Sequence, residues 1–161
     1  MTCSSDYVGI AETGPTDRLF ASLEDMFQRE IGAIIFTCST FNLATRQAKR
    51  IHTNQPDAYP LSGLKDVETS RWTETVLDRG ETFVANTIDE IAQVFPDHAL
   101  IAELGCGSVI NIPVLLGGKT LGTVNLLHED GYFSANRVER ARDHRSAAII
   151  AFAALNMSAS A

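Results

Sequence analysis

The sequence predicts an α+β domain: a central antiparallel sheet of five or six strands, with terminal helices on one face and a segment of loops and short helices on the other. Three observations lead there. Helical periodicity stands at both ends of the chain, β-branched hairpin patterns lie inside it, and the middle carries loop chemistry broken by short helical signals. At 161 residues there is room for one core of ordinary size. Apolar residues make up 45% and charged residues 20%, the balance of a folded domain and not of a disordered chain.

Residues 1–15 are small and polar, end in Gly14-Pro15, and read as a flexible N-terminal tail. Thr16 reads as the cap of a helix whose Leu19, Phe20, Leu23, Met26 and Phe27 fall on one face, ending near Gly32. AIIFTCSTF from Ala33 and a second strand over 47–53 form an antiparallel hairpin. The following NQPDAYPLSGLKD has the composition and length of a functional loop or lid, and Trp72, Val76 and Leu77 mark a short helix stopped at Gly80. A brief strand over 82–85 leads to Thr87-Ile-Asp-Glu90, a capping box that opens a helix cut at Pro96. Pro96 fits the first turn of another short helix, with Leu100, Ile101 and Leu104 apolar and Gly105 ending it. SVINIPVLL, Gly117-Gly118 and KTLGTVNLLH form the strongest local signal, two strands joined by a two-residue turn. Pro113 lacks an N–H and predicts a bulge or an unpaired edge at its position. A long helix starts near Ser134, so the folded domain is expected over 16–157, with a C-terminal tail at 158–161.

A net charge of −7 argues against general nucleic-acid affinity, which needs a surplus of Lys and Arg, whereas 13 stand against 20 acids. The longest apolar run, AAIIAFAAL, falls short of the roughly 20 residues that span a bilayer. The first residues have neither the basic nor the apolar part of a secretory signal, so the expectation is a cytoplasmic protein with no membrane partner. Cys3, Cys38 and Cys106 are an odd set without CxxC or paired-His spacing, which argues against a disulfide framework and a metal site.

The stretch GSVINIPVLLGGKTLGTVNLLHEDGYFSANRVERA resembles the GAF domain family: a strand ending in Pro-Val, a Gly-rich hairpin, Leu-Gly-x-x-x-Leu in the last strand, then a Phe before the final helix. The strand pair, the YPLSGLKD loop and the Trp72 helix follow the order the family uses, so the likeness covers roughly 16–157. It implies a pocket in front of the sheet for a small organic ligand, a homodimer through the N- and C-terminal helices, and a sensory role. With no output domain in the sequence, the expected protein is a stand-alone sensor or regulatory module that signals to a separate effector. The family's cyclic-nucleotide motif, Asn-Lys then Phe then Asp-Glu, is met by His128-Glu129, Phe133 and Arg137-Val138, so only the Phe matches. The methionine sulfoxide reductase pattern, an Asp-x-Asp on the last strand with loop cysteines, is met by Asn125 and Leu127 with no cysteine between Leu61 and Glu74. No loop cysteine for a bilin stands beside the lid either, so no cofactor is named.

Strand alternation puts Asn111 and Asn125 on the expected pocket face, where a mid-strand carboxamide must bond a ligand, backbone or water to avoid a cost of about 1–3 kcal/mol. Arg50 and His52, two apart on one strand, would present a cation and an imidazole to the same side. Tyr59 on the lid and Trp72 on the following helix are aromatic walls with polar tips. His98 beside Asp97 offers an imidazole for general base work or ligand hydrogen bonding, while Gly-Cys106-Gly-Ser108 offers a thiol, a hydroxyl and exposed N–H groups as an anion cradle. Two other readings remain open at this point. One is an enzyme on a small metabolite with His98 as acid–base and Cys106 or Ser108 as nucleophile or oxyanion contact. The other is a structural interaction subunit with an empty or collapsed pocket.

Overall fold

Gly117 and Gly118 take φ of 59° and 78°, the left-handed pair that a tight hairpin turn needs and that glycine adopts without a Cβ clash. They join β5 (Ser108–Leu116) to β6 (Lys119–His128), and β6 pairs on its other side with β1 (Ile35–Asn42). Adding β2 (Gln47–Thr53), β3 (Lys65–Asp66) and β4 (Phe83–Ala85) completes a six-stranded antiparallel sheet, ordered β3-β2-β1-β6-β5-β4. The computed structural model describes residues 4–159. The remaining elements are α1 (Ser4–Thr13), α2 (Thr16–Glu30), a π-helical segment (Thr73–Asp78), α3 (Ile88–Ala92), α4 (His98–Glu103), α5 (Ala135–Asp143) and α6 (Arg145–Ala159). Among the described residues no helix is long and apolar enough to cross a membrane.

Alternation along the central strands divides the sheet into two faces. Phe36, Ile110, Ile112, Val124 and Leu126 point to the terminal helices and meet Leu19, Leu23 and Phe27 of α2 and Ala148, Ala151 and Phe152 of α6. Each large apolar side chain so buried stabilises the fold by about 1.5–3 kcal/mol. Thr37, Asn111, Thr123 and Asn125 point the other way, toward the segment between β2 and β5.

Two bulges interrupt the alternation. In β6, Leu115 pairs with Thr120 but Val114 with Gly122, so Leu121 is an extra residue. In β2, Ser39 pairs with Arg50 but Cys38 with His52, so Ile51 is extra. A one-residue bulge reverses which face the following residues address. The expectation for Pro113 is met: β4 ends its pairing at Asn111, so that edge of β5 is unpaired at Pro113, and the bulge in the pairing with β6 lies next to it.

Several expected boundaries change. Residues 4–13 are a helix and not a tail, anchored by Tyr7, which is 3% exposed and donates its hydroxyl to the Ala147 carbonyl. Its few apolar positions are interspersed with Ser, Thr and Gly, so packing on α2 and α6 supplies what propensity does not. Thr16 is the first residue of α2, and Pro15 holds the cap position with no side-chain bond. The C-terminal helix is two helices parted at His144, whose ring packs edge-on against Phe27. It continues through Ser158 and Ala159, within the stretch read as a tail; Cys3 lies outside the described residues. The cap forms at the expected residue, with Thr87 Oγ1 accepting from the Glu90 N–H at 3.2 Å and donating to Glu90 Oε1 at 3.1 Å.

Gly122 sits where β6 crosses under α6, and a Cβ there would stand 2.1 Å from the Ser39 carbonyl oxygen and 2.6 Å from Phe152 Cε1. The Gly122→Ala substitution should therefore cost about 3 kcal/mol in urea-induced unfolding, at the upper end for overpacking, whereas an unchanged midpoint would contradict the close approach. A second prediction concerns His128, which stacks on Tyr132 at 3.6 Å and accepts the Glu129 N–H at Nδ1, 2.8 Å away. Burial holds its pKa below the ordinary 6.5, with Glu129 opposing and Arg137 assisting. Because the folded protein takes up this proton less readily than the unfolded chain, its stabilising effect is full above pH 6.5 and fades on acidification. An NMR titration of the His128 ring should give a midpoint below 6.5; a value at or above it would overturn this account.

Candidate functional site

The sheet face turned away from the terminal helices floors a cavity of about 260 Å³. Register builds the floor. Asn111 of β5 lies directly opposite Asn125 of β6, and Asn125 directly opposite Thr37 of β1. The side chains join in a relay across three strands: Asn111 Nδ2 donates to Asn125 Oδ1 at 2.7 Å, and Asn125 Nδ2 to Thr37 Oγ1 at 3.2 Å. Trp72 extends it from above, its Nε1 donating to Asn111 Oδ1 at 2.9 Å. Each carboxamide thus keeps a second N–H that the relay does not use.

Trp72 is held by the turn before the π-helical segment. Thr73 Oγ1 accepts the Ser70 N–H at 2.7 Å and donates to the Ser70 carbonyl at 2.9 Å. Val76 and Leu77 of that segment are buried against Phe41, which lays it along the cavity rim. Asn54 and Gln55 pin the loop after β2 to the Ile34 carbonyl, at 3.2 and 3.1 Å. Farther along it, Ser62 pairs with both the N–H and the carbonyl of Arg50. The loop therefore wraps the Arg50 side chain, whose Nη1 donates to the Pro60 carbonyl at 2.9 Å and whose guanidinium carbon stands 5.1 Å from the Tyr59 ring centroid.

Tyr59 donates its hydroxyl to Asp97 Oδ2 at 2.6 Å, just before α4. Burial, and next this hydrogen bond, raise the phenol's pKa, so it stays protonated at neutral pH. Phe95 packs edge-on against both Trp72 and Phe83, and Ile35, Ile101, Val109 and Leu127 supply the apolar remainder.

Of the residues singled out from the sequence, Arg50, Tyr59, Trp72, Asn111 and Asn125 line this cavity together. Four do not. The Ile51 bulge turns His52 to the opposite face, where its Nε2 meets Glu24 Oε1 of α2 at 2.8 Å, so it does not share a side with Arg50. His98 faces its own turn, with Nδ1 3.0 Å from the Phe95 carbonyl. Cys106 is buried among Ile101, Val109 and Leu127, and burial pushes its thiol up to about 11, the reverse of an activated nucleophile. Ser108 donates to the His128 and Glu129 carbonyls at 3.2 and 2.7 Å, as a tie between strands and not as a cradle. No hydrogen bond joins Cys106 or Ser108 to His98. Thr37, Ser62 and Phe95 were missed; for Thr37 the signal was the alternation of Thr37 and Ser39 with Phe36 and Cys38 along β1. Among the described residues no three His, Cys, Asp or Glu side chains are gathered as metal ligands would be.

A model of the GAF domain family matches residues 15–153. The chain belongs to the GAF domain family. Its helix α1 precedes the matched stretch. The GAF domain of a two-component sensor histidine kinase from Bacillus halodurans is similar at a TM-score of 0.70, with 12% identity over 99% of each chain. A GAF domain/HD domain protein from Geobacter sulfurreducens gives the same TM-score, 0.70, and identity, 12%, over 89% of this chain and 94% of that one. The free methionine-R-sulfoxide reductase of Neisseria meningitidis, solved with its substrate, gives 0.62 at 12% identity over 94% and 86%. At these identities the likeness is one of fold. A comparison with curated proteins finds no match.

The Trp72 bond generates a prediction for this GAF domain. Trp72→Phe keeps an aromatic ring but leaves the Asn111 oxygen, on a side chain 3% exposed, without its donor. The expected loss is about 1–3 kcal/mol in equilibrium unfolding. An unchanged stability would mean that the relay contributes nothing.

Proposed function

We propose that this GAF domain is a cytosolic sensor or regulatory module that binds a small organic molecule in the cavity over its sheet and signals to a separate effector protein. The observation that carries the reading is the relay Trp72–Asn111–Asn125–Thr37 along the floor of an otherwise largely apolar cavity. A few oriented polar groups on apolar walls are what orient a small ligand. A fully packed space between sheet and loop, which would favour an interaction subunit without a ligand, is at odds with the open volume. The free, buried Cys38 and Cys106 suit a reducing compartment.

The test is a small-metabolite panel read by thermal shift and by the fluorescence of Trp72, the only tryptophan in the chain. At least one compound should raise the unfolding temperature and change Trp72 emission, and Asn111→Ala with Asn125→Ala should abolish both responses. No responding compound, or responses indifferent to the double substitution, would overturn the reading. The same proposal includes a homodimer through the terminal helices, supported by the exposed Val8 on α1 and Ile150 and Met157 on α6. Sedimentation velocity should give a dimer that Ile150→Glu dissociates; a monomer at high concentration would remove that part.

A further inference from the structure

Arg50 is a cation without a counter-charge in a chain of net charge −7. Among the described residues the one hydrogen bond of its side chain goes to a neutral carbonyl, that of Pro60, and its Nε is buried without a partner. Arg46 on the same hairpin, by contrast, pairs with Asp78 at 2.6 Å. Among the described residues no carboxylate lies within ion-pair distance of Arg50. The one acidic group on the same cavity, Asp97, already accepts the Tyr59 hydroxyl. A guanidinium whose Nε has lost water without gaining a partner is left undersatisfied, and an anion in the cavity would pair with its charge.

The shape of the vacant edge narrows the anion. With one Nη1 proton given to Pro60, four of the five guanidinium donors remain, enough for the parallel pair that matches a carboxylate. The body of the ligand is set by the walls: Tyr59, Trp72 and Phe95 present aromatic surface, and a volume of about 260 Å³ lies below the usual range for larger ligands. The floor supplies the far end. Arg50 pairs with Ser39 and Asn125 with Thr37, two strands and two residues apart, which strand geometry makes about 12 Å between Cα atoms. Both side chains rise from the same face of the sheet, so a gap of that order separates them, which one six-membered ring with a polar group at each end spans.

We propose that the cavity takes a small aromatic carboxylate, its carboxylate paired with the guanidinium of Arg50, its ring against Trp72 and Phe95, and a polar substituent opposite the carboxylate meeting the spare N–H of Asn125. This rests on the ligand-binding reading above and adds the chemical class.

The experiment titrates the full chain with 4-hydroxybenzoate, benzoate and benzamide, following Trp72 fluorescence and calorimetric heat. Both carboxylates bind saturably, 4-hydroxybenzoate the tighter, and benzamide binds about tenfold or more weakly than benzoate because it lacks the charge. Arg50→Gln weakens 4-hydroxybenzoate by about tenfold or more and leaves benzamide unchanged, while Arg50→Lys, which keeps charge but not the fork, falls between. Benzamide binding as well as benzoate, Arg50→Gln leaving 4-hydroxybenzoate unaffected, or no saturable binding of either carboxylate overturns the proposal. Should Arg50→Gln not fold, the benzoate-to-benzamide ratio on the unaltered protein decides. A neutral or cationic compound that occupies the cavity while the carboxylates do not removes this proposal and leaves the ligand-binding reading standing; a metabolite panel without any response removes both.

Discussion

The cavity floor depends on one extra residue in β6. Counted straight back from the Gly117–Gly118 turn, Asn111 would face Val124. The bulge at Leu121 shifts the pairing by one, and Asn111 meets Asn125 instead. The same shift puts Gly122 beneath Phe152, where only a residue without a side chain fits, and lines up Thr37, Asn125 and Asn111 in one row. Neighbouring rows on the helix side, such as Phe36, Leu126 and Ile110, are wholly apolar and close against α2 and α6. Core packing and the polar floor therefore come from a single register, and a slip in it would damage both.

The second bulge, at Ile51, has a different effect. It sends Arg50 into the cavity and His52 into the helix layer, although the two stand only two residues apart on β2. His52 lies between Glu24 and the rings of Phe20 and Phe36. A displacement of β2 at the cavity would thus bear on α2 through one short stretch of backbone. That geometry suits a domain whose ligand state has to reach its terminal helices, because strand and helix are rigid and the link between them is short.

Burial governs the chemistry of the other reactive groups. Cys38 and Cys106 both have raised pKa values because their surroundings disfavour a thiolate, and Tyr59 keeps its proton for the same reason with Asp97 adding to it. The cavity therefore presents neutral donors and acceptors, one carboxylate already engaged by a phenol, and one unpaired guanidinium. Such a set is of the kind that orients a small molecule. It assembles no nucleophile with a neighbouring base of the kind covalent catalysis requires.

Much of the fold was legible because its signals are local. Apolar periodicity marked α2, Gly-Gly marked the central hairpin, Thr87 with Glu90 marked a cap, and the α+β order followed from their sequence. Helix α1 was not legible, since Tyr7, Ile10 and Ala11 are apolar positions too sparse to show without the surface they pack on. Of the site, the residues that alternation alone places, Asn111 and Asn125, were found, as were the aromatic Tyr59 and Trp72 on the lid. His52 was misplaced because a bulge has no residue signature here: one extra residue reverses a strand's facing, and only pairing with β1 reveals it. The sequence by itself determined the family, the strands and which side chains are polar. Tertiary pairing decided which of those side chains meet, because strand register is a property of two chains' worth of contacts and is written in neither strand alone.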